Sequence, residues 1–356
     1  MQSLDELLRI ALEKGGSDVF IVPFSPVSTK AHGQMVPITE EKVKLPDIQI
    51  LINRAYELAN RNMNNLEREG DDDFSFAIRD VSRFRCNIYR QRGTLAAVFR
   101  VVAFGLPDPV ERHIPDLVMK LADIRSGMIL VTGPAGTGKS TTLACILDRI
   151  NQNRSGHIIT IEDPIEYLHP HKKCLVSQRE IPEDASTFAR AVRAALREAP
   201  DVIMLGEMRD IETISTAITA AETGHLLLST LHTLGAAKTI DRVIDAFPPE
   251  QQGQIRTQLS MVLKAVVSQR LLIGTDKTLY PVFEVMVVNP AIQNLIREGK
   301  THQIDNAISG AGNEMLSMDA ELARLAREGR ITKETARAYA LHPETMERQM
   351  RFGTMR

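Results

Sequence analysis

Met128-Ile129-Leu130-Val131-Thr132 is an apolar run that leads directly into Gly133-Pro134-Ala135-Gly136-Thr137-Gly138-Lys139-Ser140. The second stretch fits G-x-x-x-x-G-K-[ST] at every fixed position, and Thr141 opens a helical pattern that continues to Asn151. Strand, glycine-rich loop and helix in this order predict a phosphate loop formed by residues 133–141, whose backbone N–H groups bind phosphate oxygens. We expect Lys139 to reach the β- and γ-phosphates and Ser140 to ligate Mg²⁺. An ordinary glycine-rich turn is the alternative, which the flanking strand and helix disfavour.

Further apolar runs follow the loop and predict the architecture around it. They lie at Ile158–Ile161, Val202–Leu205 and Leu226–Leu231, with helical patterns between them. Strands that alternate with helices predict a parallel sheet with helices on both faces, which is an α/β fold. A phosphate loop does not by itself identify a function, since motors, kinases, transporters and switches share it.

The regions on either side of this core have different patterns. Residues 1 to about 105 contain a predicted helix at 48–65, an amphipathic helix at 1–14, and strands at 73–78, 83–90 and 94–102, which indicates a small α+β domain with an antiparallel sheet. Phe104 to Pro115 is rich in proline and is predicted to be a linker. After about Pro290, helices are predicted at 291–297, 318–328 and 333–341.

Composition limits the class of protein. The 356 residues are 43% hydrophobic and 25% charged with a net charge of −2, which is ordinary for a soluble globular chain and argues against a non-specific nucleic-acid binder. No apolar run approaches the roughly 20 residues of a membrane span, and no signal-peptide layout is present. Three cysteines without paired spacing favour a reducing compartment, so we expect a cytoplasmic protein.

Acidic side chains follow two of the apolar runs. Glu162, Asp163 and Glu166 come after the first run, and Glu207 comes after the second. Ligands of parallel sheets bind at the carboxyl ends of the strands, so Glu207 could polarise a metal-bound water and Glu166 could orient the attacking water. For Glu162 and Asp163, a strand-end turn or a helix N-cap is the alternative.

Histidines and arginines provide weaker signals. His225 and His232 bracket the run Leu226–Leu231, where the pattern alone favours structural histidines over phosphate sensors. His169, His171 and Cys174 lie close together, but one short cluster does not supply the four ligands of a zinc site. The first region contains six arginines within twenty-two residues: Arg79, Arg83, Arg85, Arg90, Arg92 and Arg100. They either lie on a solvent-exposed face of the sheet or act as arginine fingers, which contact the phosphates of a nucleotide bound at another site.

Taken together and in order, four motifs resemble those of the secretion ATPase superfamily. GPAGTGKST, TIEDPIEYLH, APDVIMLGEMRD and AAETGHLLLSTLHTLGAAKTIDRVIDAFP are similar to its Walker A, Asp-box, Walker B and His-box motifs. Within the superfamily the chain looks most like the type IV pilus retraction, or twitching-motility, ATPases. DDDFSFAI, SRFRCNIYRQRG and AAVFR resemble the family's PAS-like N-terminal domain, and PAIQNLIREGK resembles a C-terminal segment of the retraction enzymes.

This resemblance implies a fold, a reaction and partners. It implies a PAS-like domain (1–103), a linker (104–116), a RecA-like ATPase domain (117–288) and a helical C-terminal subdomain (289–356). It further implies a homohexamer that hydrolyses ATP with Mg²⁺ at subunit interfaces and acts on an inner-membrane pilus platform protein, at the cytoplasmic face of that membrane. Nucleic acid is not expected as a partner.

The resemblance also assigns roles to particular residues. Glu166 and Glu207 would be the catalytic acids, with Glu207 and Ser140 at the metal. His225 and His232 would be the His-box sensors, His225 binding nucleotide and His232 taking part in catalysis. Arg83 and Arg85 would act on nucleotide from the first domain.

Departures from the family pattern leave alternatives open. The chain lacks the paired Cys-x-x-Cys motifs and the long N-terminal extension of pilus-assembly and type II secretion relatives, which favours retraction over assembly. Phe20 replaces a histidine, Ala199 replaces an aspartate, and the basic end MERQMRFGTMR has no assignable counterpart. A motor for DNA uptake or protein secretion, an accessory retraction motor, a nucleic-acid translocase and a regulatory ring without turnover remain alternatives.

Overall fold

The structure is a computed structural model, and it describes residues 2–31, 33–79, 81–102 and 105–352, with the side chain of Phe352 excluded. By its internal contacts the chain forms two compact units. The first is Met1–Gly105 together with Glu166–Leu168, and the second is Leu106–Ile165 together with His169–Arg356. The four domain boundaries expected from the sequence stay predictions. Phe104, in the expected linker, and the last four residues of the basic end lie outside the described residues.

The first unit is an antiparallel sheet covered by helices. Its sheet has the order β3-β2-β1-β6-β5-β4, and α1 and α2 bury their apolar faces against it. In chain order the elements are α1 (Leu4–Glu13), β1 (Gly16–Ile21), β2 (Pro26–Ala31), β3 (Gln34–Lys42), α2 (Leu45–Leu58), α3 (Asn64–Glu69), β4 (Asp71–Ile78), β5 (Ser82–Gln91) and β6 (Thr94–Val102). The predicted first helix and the strands β4, β5 and β6 are confirmed.

One helix prediction in this unit is wrong. The helix expected over residues 48–65 ends at Leu58, and a separate helix begins at Asn64. Asn60 lies between them with a φ of 51°, in the left-handed region, which a continuing right-handed helix does not permit. Strands β1, β2 and β3 were not predicted from the sequence.

The second unit is built on a mostly parallel sheet. The sheet order is β13-β12-β7-β11-β10-β8-β9, in which only the pair β12 and β13 is antiparallel among the described strands. Its elements are α4 (Asp116–Met119), β7 (Gly127–Thr132), α5 (Lys139–Asn153), β8 (Gly156–Glu162), β9 (Cys174–Glu180), α6 (Phe188–Ala195), β10 (Val202–Leu205), α7 (Ile211–Glu222), β11 (Leu226–Leu231), α8 (Ala236–Asp245), α9 (Pro249–Val262), β12 (Leu263–Ile273), β13 (Leu279–Val287), α10 (Pro290–Arg297), α11 (Ile304–Gly310), α12 (Met318–Arg327), α13 (Lys333–Tyr339) and α14 (Pro343–Phe352).

Both faces of this sheet are buried, as the continuous apolar runs predicted. Met128 and Leu130 of β7 pack with α6–α9 on one face, whereas Ile129 and Val131 pack with α4 and α5 on the other. The α/β fold with a parallel core, an N-terminal antiparallel sheet and C-terminal helices is therefore confirmed. No helix in the described ranges has the length and apolar character needed to cross a membrane.

A buried carboxyl group joins β13 to a helix N-terminus in this unit. Glu284 is 3% exposed, and its Oε1 accepts a hydrogen bond of 2.8 Å from the backbone N–H of Ala236, at the start of α8. Burial raises the pKa of Glu284 to about 7; the Ala236 N–H lowers it, and the charges of Asp305 and Asp319 raise it further. The folded protein therefore holds a proton on this group over a pH range in which an unfolded chain releases it.

This difference predicts a pH-dependent effect of Glu284→Gln. Because the folded-state pKa is raised, wild-type stability falls as pH rises from about 4.5 to about 7. Glutamine keeps an oxygen for Ala236 but does not titrate. The free energy of unfolding of the variant, relative to wild type, should therefore increase by up to about 3 kcal/mol between pH 5 and pH 8 in denaturant titrations.

The matched control is Glu298→Gln. The pKa of Glu298 is lowered by hydrogen bonding to Lys300, so this carboxylate stays ionised across the same range. Its stability difference from wild type should be constant with pH. A constant difference for Glu284→Gln as well would contradict the raised pKa.

Candidate functional site

Loops that follow neighbouring strands converge at the carboxyl edge of the second unit's sheet. Strands β7, β11, β10 and β8 are adjacent and parallel, with Thr132 opposite Leu231, and Leu205 opposite both Ser229 and Ile161. The residues that come next along each strand therefore share one edge. That edge carries the phosphate loop after β7, His232 after β11, Glu207 after β10 and Glu162 at the end of β8.

The phosphate loop has the strand–loop–helix form expected from the sequence. Lys139 is 8% exposed, and its Nζ donates hydrogen bonds of 2.9 Å to the carbonyl oxygens of Gly133 and Pro134. Burial lowers the pKa of Lys139, and the negative charge of Glu207 partly opposes that effect. Ser140 is exposed at the start of α5. A buried ammonium group beside backbone donors and a helix N-terminus is suited to binding phosphate.

Glu207 is held by two neighbouring side chains. Its Oε2 lies 3.3 Å from Nε2 of His232, and its Oε1 lies 2.6 Å from Nη2 of Arg209. The Glu207 side chain is only 12% exposed, and its hydrogen bond raises the pKa of Arg209. The structure thus brings together Lys139, Glu207 and His232, three residues that the sequence placed at one site.

Glu162 is occupied by structural hydrogen bonds. It is 6% exposed, and its Oε1 accepts hydrogen bonds of 2.7 Å from Thr160 Oγ1 and 3.2 Å from Gln178 Nε2. Asp210, close to Glu207, caps the N-terminus of α7 by accepting a hydrogen bond from the Thr213 N–H. The contacts of Glu162 are structural, but they are neither the strand-end turn nor the helix N-cap expected as its alternative, whereas Asp210 is an N-cap that the sequence analysis did not predict.

His225 is not brought to this edge. It precedes β11, whereas the nucleotide edge follows β11, and the six residues of that strand span about 20 Å. Its Nδ1 lies 3.0 Å from the carbonyl oxygen of Ala220 and 3.1 Å from Thr223 Oγ1, at the end of α7. Within one chain, His225 therefore does not lie beside the phosphate loop, and its role in binding nucleotide stays a prediction.

Glu166, Arg83 and Arg85 belong to the first unit by their contacts. On β5 the two arginines alternate with the buried side chains of Phe84 and Cys86, as predicted. Arg85 lies opposite Arg100 of β6. Their roles at a nucleotide stay predictions.

His169, His171 and Cys174 each have a structural explanation. Burial lowers the pKa of His169 to about 4, which keeps the ring neutral, and His171 Nδ1 accepts a hydrogen bond of 3.0 Å from the Val176 N–H. Cys174 is buried, and its Sγ lies 3.0 Å from the carbonyl oxygen of Arg154. Burial raises the pKa of its thiol. These surroundings favour structural roles over zinc binding.

Sequence reasoning missed Gln269, which contacts the phosphate loop from β12. Gln269 is 2% exposed, its Nε2 donates to the carbonyl oxygen of Thr137, and its Oε1 accepts a hydrogen bond of 2.9 Å from Thr142 Oγ1. The available signal was the polar stretch Ser268-Gln269-Arg270, which has apolar residues on both sides.

A comparison with protein families identifies the family to which the chain belongs. A family model described as type II/IV secretion system protein matches residues 1–278. The chain belongs to this family. The family relationship and the phosphate loop together establish it as a member of a nucleotide-binding ATPase family, in agreement with the predicted resemblance.

Individual relatives are similar in sequence to this chain over nearly its whole length. The type IV pilus retraction ATPase PilT of Pseudomonas aeruginosa is 42% identical over 343 residues, which cover 96% of this chain and 99% of the relative. The twitching motility protein of Neisseria gonorrhoeae is 41% identical, covering 97% and 92% of the two chains. A crystal structure of the pilus retraction motor PilT with bound ADP has a TM-score of 0.91 and 42% identity, covering 98% and 100%. The predicted resemblance to pilus retraction ATPases is confirmed.

The close approach of β12 to the loop predicts the effect of Gly133→Ala. A Cβ at residue 133 would lie 2.2 Å from the carbonyl oxygen of Gln269, and Gly133 has a φ of 144°, which L residues rarely adopt. We expect a loss of about 1–3 kcal/mol in unfolding free energy, measured by denaturant titration, together with weaker ADP binding.

Gly253→Ala is the matched control. Gly253 lies within α9, and nothing lies within 4 Å of a Cβ built there. This variant should keep wild-type ADP affinity and be equally or more stable. Wild-type stability and ADP affinity in Gly133→Ala would contradict the observed approach of the two backbones.

Proposed function

We propose that this chain is an ATPase motor that couples ATP hydrolysis to type IV pilus retraction, and thereby to twitching motility. The observation that carries the proposal is the shared edge of Lys139, Glu207 and His232, in a chain 42% identical over 96% of its length to a pilus retraction ATPase. Chemistry and family thus support the same function.

The loop residues would bind and orient the nucleotide. Residues 133–141 supply backbone N–H groups and the N-terminus of α5, and the Lys139 ammonium adds a positive charge that stabilises the transferring phosphoryl group. Lys139 already lies among carbonyl oxygens inside the loop, so its charge is available where phosphates bind.

Glu207 is the candidate group for polarising the attacking water. Its carboxylate is largely buried, and its contacts with His232 and Arg209 fix the position of both oxygens. His232 is 55% exposed, so a nucleotide can change its hydrogen bonding and thereby the orientation of Glu207. We propose His232 as the residue that links phosphate contacts to the catalytic acid.

The oxygen donors of this edge fit Mg²⁺. The exposed Ser140 hydroxyl and the Glu207 carboxylate are hard oxygen ligands, and Mg²⁺ is commonly bound by one or two protein oxygens together with substrate phosphates. Ser140 and Glu207 would hold the ion, which would supply neutralisation of phosphate charge when bound.

Further parts of the proposal come from the resemblance. We propose that the chain assembles as a homohexamer, that Glu166, Arg83 and Arg85 of the first unit act on nucleotide, and that His225 acts at a subunit interface. We also propose an inner-membrane pilus platform protein as partner, at the cytoplasmic face of that membrane. The boundaries 1–103, 104–116, 117–288 and 289–356 are retained as the proposed domain division.

Two substitutions test the ATPase reaction. Lys139→Ala removes the charge that binds and stabilises the phosphates, and Glu207→Gln removes the carboxylate that polarises water. Each should lower the steady-state rate of phosphate release by about 100-fold or more, because charge neutralisation provides most of this catalysis.

Lys120→Ala and Glu298→Gln are the matched controls, because both side chains are exposed and lie away from the nucleotide edge. They should retain the wild-type rate. If wild type and all four variants release phosphate equally, or not at all, the proposed reaction is wrong.

The direction of force is tested in cells. Deletion of the gene should leave excess surface pili and abolish twitching, since fibres that cannot be withdrawn accumulate. Complementation with wild type should restore both properties, whereas Lys139→Ala should restore neither, as scored by electron microscopy and colony spreading. Loss of pili on deletion would instead indicate an assembly motor.

A further inference from the structure

Gln269 occupies the strand position beside the start of the phosphate loop. Strand β12 runs parallel to β7, and their pairing ends with Ser268 opposite Thr132. The residue that follows β7 is Gly133, the first residue of the loop, and the next residue on β12 is Gln269. The carbonyl oxygen of Gln269 lies so close to Gly133 that a Cβ there would be 2.2 Å from it. Backbone and side chain of Gln269 therefore both meet the loop.

Both polar atoms of the Gln269 side-chain amide form hydrogen bonds. The carbonyl oxygen of Thr137 can only accept a hydrogen bond, so the amide nitrogen must face it, and the amide oxygen then accepts the Thr142 hydroxyl at 2.9 Å. Thr142 is 1% exposed on α5, and Gln269 is 2% exposed. The amide thus joins the end of the loop to the first turn of α5 in a site closed to water.

The hydrogen bond to Thr137 fixes the direction of a loop N–H group. The Thr137 carbonyl and the Gly138 N–H belong to one planar trans peptide, so they point in opposite directions. Holding the carbonyl toward β12 therefore turns the Gly138 N–H away from β12. Nε2 of Gln269 would also lie 3.0 Å from a Cβ at residue 138, so the side chain packs against this peptide.

We propose that Gln269 is a positioning residue of the nucleotide site, which orients the Thr137–Gly138 peptide so that its N–H faces the phosphates. Gln269 does not itself touch the phosphates in this role. The inference rests on the proposed ATPase function, because it assigns to β12 the control of that function's binding loop.

Thr142 has a supporting part in the same arrangement. Its hydroxyl holds the Gln269 amide oxygen and so prevents the amide from rotating by half a turn, which would place oxygen against the Thr137 carbonyl. Thr142→Val keeps the shape and removes this donor. It should therefore weaken nucleotide binding less than any change at Gln269 that removes the donor to Thr137.

Gln269→Leu is the first test. Leucine approximates the volume of glutamine but cannot donate to Thr137, so kcat/KM for ATP should fall by about 10- to 100-fold, with KM as well as kcat affected. Gln152→Leu, an exposed change near the far end of α5, is the matched control and should retain the wild-type value. A value of kcat/KM for Gln269→Leu equal to wild type overturns the proposal.

Gln269→Glu provides a readout that a purely structural role would not alter. A protonated glutamic acid has nearly the shape of glutamine and can donate its O–H to Thr137, whereas the carboxylate can only accept. Burial raises the pKa of a carboxyl group at such a position, so protonation falls within an accessible pH range. The ratio of variant to wild-type activity should therefore rise severalfold between pH 8 and pH 6.

Dividing the activity of the variant by that of wild type at each pH removes any pH dependence that both proteins share. If the ratio of Gln269→Glu activity to wild-type activity does not change with pH, the proposal is overturned. This ratio is the deciding test if Gln269→Leu fails to fold. If wild type itself releases no phosphate, the proposed function fails separately. In that case the same comparisons are made with ADP affinity, where equal binding by wild type and Gln269→Leu overturns the inference.

Discussion

The parallel ladder formed by β7, β11, β10 and β8 determines where the polar groups of the nucleotide edge lie. The paired ends of these strands are aligned, so the residues that follow them meet although they are far apart in sequence. Both faces of the ladder are packed by apolar side chains. A register shift of one residue would move each of those side chains to the opposite face, where it would meet different packing partners, so close packing of the core and placement of the site depend on the same constraint.

Electrostatic balance at that edge depends on the same alignment. Lys139 is buried, which disfavours its charge, and two loop carbonyls together with the charge of Glu207 offset part of that cost. Glu207 in turn is held by His232 and Arg209. A phosphate that enters the loop therefore meets a positive group already in place, beside a carboxylate whose orientation is already fixed. Such preorganisation is the means by which phosphoryl transfer is catalysed.

Several parts of the fold were predictable because their signals are local. The continuous apolar runs of β7, β10 and β11 indicated strands buried on both faces, and the alternation of Arg83 and Arg85 with Phe84 and Cys86 indicated a half-buried strand. Strand β12 was missed because it begins at the residue directly after α9, with no turn signal between them, and because Lys264 and the polar residues 268–270 interrupt its apolar pattern. Strand β9 was missed because an edge strand with exposed and polar residues carries little periodic signal.

The candidate site was likewise predictable from the sequence only where its signals are local. The sequence by itself determined the phosphate loop, since its glycines, Lys139 and Ser140 are contiguous and their chemistry is local. It also identified Glu207 and His232 as polar groups that follow buried strands. Only the tertiary structure decided that these two residues contact each other, that His225 lies at the opposite end of β11, and that Gln269 holds the loop from β12. Contacts of this kind depend on strand order and register, which arise from packing across the whole sheet and leave no short-range pattern in the chain.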